Sequence, residues 1–367
     1  MDRIIMHIDL DYFYAACEVS RNPGLASKPV IVCVFSGRTQ ESGAVATCNY
    51  VARGLGIRSG MPISQAKGLA AGNKDAAFLP ADMDFYRSTS DRIMEILESH
   101  ADSFEQVSVD EAYLDVSRRC ADVASAAGLG KELKGEILGG EDLTCSVGIG
   151  PNKLLAKIAA GIRKPDGLSI IRLEDIKQTL WAQPVGKLFS IGPKTEETLA
   201  ALAITTIGEL ASVEVRRLIA EFGENRARQL HEFANGIDGR EVEQSTRQQI
   251  ARIATLKENT RDLGKLVDFI DYLASLLHEK LKKDGRFFRN IAIIAIATDL
   301  KLHTRSKTLE VATADIEMVK TEAKMLMDAF LKENPEVILR RAGLRVSSFV
   351  DDQKPPIGQK SLGDFGK

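Results

Sequence analysis

SVDEAYLD, residues 108–115, sets two adjacent carboxylates, Asp110 and Glu111, where the chain has to turn. The flanking stretches FEQVSV (104–109) and AYLDV (112–116) carry the alternating or clustered apolar residues of half-buried strands, so the pair sits at or beside a hairpin tip. A two-residue hairpin turn favours Asn-Gly or Asp-Gly for their positive φ angles, and Asp-Glu is a poor substitute. Something other than turn chemistry selects it. Neighbours on a regular strand face opposite ways, so only a turn or bulge brings both carboxylates to one place, where their repulsion calls for a cation. Hard oxygen ligands of this kind suit Mg²⁺.

A third carboxylate comes from the N-terminal region. RIIMHID (3–9) reads as a buried strand ending at Asp9, directly before LDYFYAACE, whose small and aromatic residues begin a helix. Asp9 with Asp110 and Glu111 makes a cluster able to hold two Mg²⁺ ions about 3.5–4 Å apart, the spacing that clamps the attacking and leaving oxygens in phosphoryl transfer. Taken singly, Asp9 or Asp11 also suits a helix N-cap, and an Asp-Glu pair suits a solvated loop.

With 367 residues, the chain exceeds the usual domain size of roughly 100–200 residues, and two to four domains are expected. A composition of 44% hydrophobic and 27% charged residues is that of ordinary globular material. No apolar run approaches a membrane span, and Asp2, His7, Asp9 and Asp11 stand where a signal peptide needs an apolar core, so a soluble, cytoplasmic protein with no membrane partner is expected. Five cysteines without a CxxC pair argue against structural zinc and against a disulfide framework. The net charge of −2 does not by itself suggest nucleic acid, but residues 245–350 hold 19 Lys and Arg against 14 Asp and Glu. A basic C-terminal module beside an acidic, metal-binding core is compatible with phosphate contacts.

Along the chain, a strand at 3–9, a helix at 82–100, the hairpin 104–116, a helix at 121–138, a strand at 143–149 and a helix at 152–162 follow a βαββαβ order, which suits a ferredoxin-like sheet. Short helices follow to about residue 236, and FSIGPKTEETLAALAITTIGELA (189–211) reads as a helix-hairpin-helix whose amides and Lys would grip phosphates without reading sequence. The polar stretch 236–249 reads as a tether. After it RIATL, FFRNIAIIAIAT and ILRRAGLRVSSF supply strands, and 263–282 and 315–332 supply helices. GIGPN (148–152) lacks both the Rossmann spacing and a Walker Lys-Ser/Thr and reads as a strand-to-helix turn.

HIDLDYFYAACE, VCVFSGRTQESGAVATCNYVARGLGIRSGMPI (32–63), SVDEAYLD and CSVGIGPNKLLAKIAAGIRKPDG (145–167) occur in an order and spacing that resemble the Y-family, lesion-bypass DNA polymerases, in their DinB or polymerase IV branch. The resemblance implies an α+β multidomain chain. It has a ferredoxin-like palm at 1–12 and 80–171, small fingers at 13–79, a helical thumb with the helix-hairpin-helix at 172–236, a linker at 237–247, an α+β little finger at 248–350 and a disordered tail at 351–367. The implied activity is low-fidelity, low-processivity nucleotidyl transfer to a primer 3′ end on a DNA template, with Asp9, Asp110, Glu111 and the backbone carbonyl of Leu10 on two Mg²⁺ ions and Mn²⁺ as a possible substitute.

By the same resemblance Thr47, Tyr50, Arg53 and Lys164 lie at the nucleotide triphosphate, assisted by the amides of Tyr12, Phe13 and Tyr14. Tyr14 is the steric gate beneath the sugar, although on pattern alone an aromatic in YFYAAC suits the core. Ala44, Ala46 and Gly60 roof the nascent base pair, a low roof that tolerates a distorted template base. Arg289, Arg340, Arg341 and Arg345 of the little finger would lie along a DNA backbone. In the thumb, Ser190 and Ala203 stand where the family commonly has Gly. Gln359, Leu362 and Phe365 have the Q-x-x-L-x-x-F spacing of sliding-clamp ligands, with Gly366 where a second aromatic is usual. The expected partners are primer-template DNA, deoxynucleoside triphosphates and the clamp, and the protein is expected to be a monomer. Two rival readings are a two-metal nucleotidyl cyclase on a similar palm and a non-catalytic DNA-binding accessory protein.

Overall fold

The structure, a computed structural model, describes residues 3–39, 41–244 and 248–350. In chain order the elements of the first part are β1 (Ile5–Leu10), α1 (Phe13–Arg21), β2 (Val30–Phe35), β3 (Gly43–Cys48), α2 (Tyr50–Gly54), α3 (Ile63–Ala70), β4 (Ala77–Pro80), α4 (Met83–Ser99), β5 (Ser103–Gln106), β6 (Glu111–Asp115), α5 (Val123–Glu141), β7 (Cys145–Gly150), α6 (Lys153–Ile162) and β8 (Leu168–Ile170). The helices α7 (Ile176–Thr179), α8 (Pro193–Ala201), α9 (Ile207–Ser212), α10 (Val215–Phe222) and α11 (Glu224–Ala234) follow, then β9 (Gln249–Thr260), α12 (Leu263–Asp284), β10 (Phe287–Ala297), β11 (Leu302–Thr313), α13 (Ile316–Glu333) and β12 (Leu339–Val350). The chain forms two compact units, Met1–Val34 with Ala44–Ser245, and Phe35–Gly43 with Thr246–Lys367.

The central sheet of the first unit runs β5-β6-β1-β7-β8, with β1 antiparallel to both of its neighbours. Without β8, which adds in parallel to β7, this is the strand order of the ferredoxin-like βαββαβ unit. Met6, Ile8 and Leu10 point to one face and bury it with Ile93 and Leu97 of α4 and Leu133 and Ile137 of α5. The helices start where the sequence supplies caps: Asp82 accepts from Phe85 N, Asp122 and Ser125 form a capping box, and Asn152 accepts from Leu155 N.

The opposite face of the sheet is covered by α6, and the approach is unusually close. A Cβ on Gly148 would fall onto the backbone of Ala156 and Ala160, and one on Gly150 onto Ala156 N and Leu155 Cβ. These two glycines of the fully buried β7 let α6 lie directly on the strand. A second, three-stranded sheet, β3-β2-β4, packs with α2 and α3 around Ile31, Val45, Ile57 and Ile63.

Helices α7 to α11 enclose a core around Leu199, Leu210, Leu218 and Leu230 that Leu154, Leu155 and Ala159 of α6 join. Between α8 and α9, Ala203 holds φ +60, and Ser190 just before α8 holds φ +71. Both residues occupy left-handed backbone that glycine adopts freely and other L-residues adopt at a cost of about 1 kcal/mol or more. The stretch read as a tether is docked as far as Glu243, whose amide donates to Glu105. Asp238 accepts from Leu154 N and pairs with Arg240, Lys153 donates to Glu241 O, and Val242 is buried with Ile5, Tyr113 and Ala156.

In the second unit an antiparallel sheet, β11-β10-β12-β9, carries α12 and α13 on one face. Leu344 and Ala342 join the core, so alternation turns Arg341 and Arg345 to the other face. Strand β11 was not anticipated: it is an edge strand, mostly exposed and rich in charge, and lacks the apolar run that marked the other three. The segment Phe35–Gly43, within the stretch read as fingers, belongs to this unit, where Arg38 donates to the carbonyls of Leu256 (2.6 Å) and Arg340 (3.3 Å).

Gly148→Ala should destabilise the first unit by about 3 kcal/mol or more, because neither the helix backbone nor the strand can yield to the added methyl. Urea titration followed by circular dichroism measures this, and a loss under 1 kcal/mol would show that α6 is not held against β7 as described.

Candidate active site

The antiparallel register makes Asp9 the direct partner of Glu111 on β6 and of Ser146 on β7. Asp110 is the last residue of the turn, and its carbonyl accepts from Leu10 N at 2.9 Å. Its carboxylate accepts from Ser108 Oγ at 2.5 Å, so the serine of SVDE orients the aspartate. The three carboxylates nominated by sequence therefore converge on the C-terminal end of β1.

Two lysines of one helix and its following turn face them. Lys164 Nζ pairs with Asp9, and Lys157 Nζ sits 2.6 Å from Glu111. His7 is fully buried behind them, with Nε2 at 3.7 Å from Glu111 and Nδ1 without a hydrogen-bond partner. Burial keeps this imidazole below its ordinary pKa. His7 and Lys157 hold the Glu111 carboxyl down at about 2 against the effect of burial, Lys157 making the closer contact. Burial pushes the Asp9 carboxyl up to about 6, although Lys164 opposes it. Positive charge is thus already supplied to two of the three carboxylates by ammonium groups. The donor set, carboxylate oxygens with the Leu10 carbonyl beside them, fits a hard divalent cation.

A cavity of about 390 Å³ opens beside this cluster. It is lined by Asp9, Leu10, Tyr12, Phe13, Tyr14, Ala46, Thr47, Tyr50, Arg53, Asp110 and Lys164, which are all sequence nominees, and by Ser59, which is not. Tyr12 takes a left-handed φ of +40 and turns the chain from β1 into α1, which presents the first amides of that helix. Asn49 caps α2 and ties it to Val30 N and Lys28 O. On that helix Arg53 lies over the Tyr50 ring at 4.8 Å and donates to Cys48 O, while Tyr50 meets Tyr12 edge to face. Phe13 is buried in the core, as its pattern suggested, although it also borders the cavity.

Tyr14 stacks on Tyr86 of α4 at 4.6 Å, with the rings 17° apart. Tyr86 is fully buried and donates its hydroxyl to Glu18 at 2.6 Å, and Arg21 clamps Glu18 and reaches Asp82. Ala44 stands beside Ala46 on β3, and Gly60 lies in the turn before α3, tied to that strand because its amide donates to Val45 O, while Ala44 pairs with Pro62. Ala44 and Gly60 are exposed and neither lines the cavity, and Gly60 holds φ +83.

Sequence reading missed His7, Lys157, Ser59, Tyr86 and the partners of Asp11. For His7 a signal existed, since it stands two residues before Asp9 on a strand and so shares its face. Lys157 had none, because its partner is 46 residues away. Elsewhere, His100, Glu132 and Glu136 bring ligand atoms within 4.8 Å of one another, a group unrelated to the triad. Gln359, Leu362 and Phe365 lie outside the described residues.

Residues 8–161 match the impB/mucB/samB family, and residues 247–362 match the C-terminal domain of that family. Over the full length of both chains, the sequence is 44% identical to DNA polymerase IV 1 of Methanosarcina mazei. It is 39% identical to DNA polymerase IV of Nitrosopumilus maritimus over 99% of each chain. Among solved structures, a Y-family DNA polymerase chimera of Dbh and Dpo4 is similar with a TM-score of 0.89 at 33% identity, over 95% of this chain and 99% of that one. The DinB crystal structure from Sulfolobus solfataricus gives 0.65 at 32% identity, over 94% and 98%. Coverage from end to end, at identities well above those that show a fold alone, means that this chain belongs to the impB/mucB/samB family and is a Y-family DNA polymerase of the DNA polymerase IV branch.

Proposed function

We propose that the protein extends the 3′ end of a primer on template DNA, past damaged bases, using Asp9, Asp110, Glu111 and the Leu10 carbonyl to hold two Mg²⁺ ions. The observation that carries this reading is the joining, in one cavity, of a carboxylate cluster with a cationic and aromatic lining suited to a nucleotide. Bound Mg²⁺ would stabilise the charge on the attacking and leaving oxygens of the transferred phosphoryl group. Arg53 offers a planar fork and Lys164 a point charge to the triphosphate, with Thr47, Tyr50 and the first amides of α1 adding hydrogen-bond donors. Lys164 would leave Asp9 for the triphosphate as the cations arrive, so the ammonium acts as counter-ion first to one and then to the other. Lys157 remains on Glu111 and orients it.

Tyr14 is assigned as the gate beneath the deoxyribose, where its ring leaves no room for a 2′-hydroxyl. Ala44, Ala46 and Gly60 form the roof over the new base pair. Duplex DNA would be held through its phosphates by the amides and Lys194 of the α8–α9 hairpin and by the arginines of the β9–β12 sheet. A nucleotidyl cyclase has no use for either module. Clamp binding by the tail is part of the same proposal, with Gln359, Leu362 and Phe365 as its contacts.

Asp110→Asn should abolish primer extension while leaving DNA affinity within about twofold, because it removes an anionic ligand at constant volume; wild-type extension would refute the assignment. Tyr14→Ala should let ribonucleotides in far more readily, with only a modest loss of deoxynucleotide use, as read by the ratio of the two kcat/KM values. An unchanged ratio means that the gate is another residue. Deleting residues 359–367 should leave extension on short templates intact and remove stimulation by the cognate clamp, and a truncated enzyme that is still stimulated would exclude the tail.

A further inference from the structure

Asp11 follows the metal-ligand candidate Asp9 by two residues, and its carboxyl group faces away from the cavity. It is 1% exposed and accepts three hydrogen bonds from two segments, the start of β7 and the turn after α6. Oδ2 accepts from Thr144 Oγ1 at 2.9 Å and from the backbone amide of Asp166 at 2.8 Å, and Oδ1 accepts from Ser146 Oγ at 2.8 Å. Its own amide donates to Thr144 O, which extends the β1–β7 pairing by one residue. A lone helix cap needs none of this: the residue at the cap of α1 is Tyr12, and no side chain caps that helix.

The contact with Asp166 is the informative one. Between α6 and β8 the chain reverses through residues 163–167, a turn in which Asp166 holds φ +55 and Gly167 approaches the Arg163 carbonyl so closely that a Cβ would overlap it. Lys164, whose ammonium group reaches Asp9 and the cavity, stands on this turn. The turn is otherwise exposed, and a lysine on an exposed turn has many rotamers and a mobile backbone beneath it. Two groups pin it from behind. Asp11 takes the amide of Asp166, and Lys134 of α5 takes its carboxylate at 2.5 Å while donating to Cys145 O at 2.8 Å.

The geometry points to Asp11 as a positioning residue that fixes the Lys164 turn against the end of β1, so that the lysine is delivered to the triphosphate in register with Asp9. A single carboxyl group then couples three parts of the site, namely the strand that carries Asp9, the entry into α1 with its first amides and Tyr14, and the turn that carries Lys164. This inference rests on the reading of Lys164 as a triphosphate contact.

The test is steady-state single-nucleotide insertion by the full chain, together with hydrogen exchange of the peptide that covers residues 163–168. Asp11→Ala should raise the KM for the incoming nucleotide about tenfold, the equivalent of one charge-assisted contact, with a smaller change in kcat, and should speed exchange at the turn. In a Lys164→Ala background the same substitution should add nothing further to KM, since the group being positioned is gone. Asp11→Asn should stay close to wild type, because a flipped amide can place its oxygen toward Thr144 and Asp166 and donate its NH₂ to the Ser146 hydroxyl. Should Asp11→Ala fail to fold, Thr144→Val removes one of the donors that orient Oδ2 and should give a weaker effect of the same sign, also absent in the Lys164→Ala background. Unchanged exchange at residues 163–168, or KM effects of Asp11→Ala and Lys164→Ala that multiply, would overturn the positioning role. Faster exchange combined with an unaltered KM in Lys164→Ala would instead overturn the triphosphate assignment.

Discussion

Pairing between β1 and β6 sets Asp9 directly opposite Glu111, and a slip of one residue would turn His7, Asp9 and Asp11 toward the helices α4 and α5 while exposing Met6, Ile8 and Leu10. Hydrophobic burial on one face therefore enforces the arrangement of charge on the other. The core around Ile93, Leu97 and Leu133 cannot accept carboxylates, so the register is set largely by apolar packing on the face away from the carboxylates. The polar face needs an equally close cover that can bring positive charge. Helix α6 meets that need because Gly148 and Gly150 admit its backbone against the strand, which puts Lys157 on Glu111 and starts the turn that brings Lys164 to Asp9.

Most of this first unit was legible in the sequence because its elements are long, capped and locally patterned. The helices α4, α5 and α6 begin within two residues of the starts read at 82, 121 and 152, and the structure shows Asp82, Asp122 and Asn152 capping them. The carboxylate cluster was legible for a different reason, namely that two acids stand at a hairpin end, although the turn is the four residues 107–110 and Glu111 already belongs to β6, so no two-residue turn is involved. What escaped was whatever depends on distant parts of the chain. Asp11 reads locally as a cap and is in fact bonded to residues 133 to 155 positions away. The segment 236–244 reads as a tether because its few apolar residues give no period, yet Asp238 and Val242 find partners on α6, β1 and β6. Strand β11 lacked an apolar run because it lies at an edge, where charge guards against pairing with another chain.

The thumb hairpin shows local sequence and tertiary demand at odds in a measurable way. Ser190 and Ala203 keep the left-handed backbone that this turn geometry requires, without the glycine that makes it free of strain. Its cost is met by the surrounding apolar core, where Leu199, Ile204 and Leu210 are all buried. Arg226 adds a hydrogen bond to the Ser190 hydroxyl at 3.0 Å and another to its carbonyl, which fixes the strained residue from outside the hairpin.

The two sides of the cavity differ in stiffness, and under the proposed reading that difference explains a polymerase that is strict about sugar and lenient about bases. Tyr14 is backed by a stacked, fully buried Tyr86, whose hydroxyl is held by Glu18, which is in turn clamped by Arg21. The ring cannot retreat toward α4 without displacing Tyr86 and breaking its buried hydrogen bond to Glu18, so in that direction a 2′-hydroxyl would meet a wall. The residues assigned to the roof, Ala44, Ala46 and Gly60, offer no side chain beyond a methyl group, and of them only Ala46 borders the cavity, while Ala44 and Gly60 are exposed to solvent. Discrimination by shape needs contact on every edge of the base pair, and a roof of this kind supplies almost none. Tolerance of a distorted template base then requires no special lesion pocket. Under that reading it follows from leaving the base pair uncovered while Tyr14 is backed by Tyr86 and Lys164 is paired with Asp9 at the end of β1.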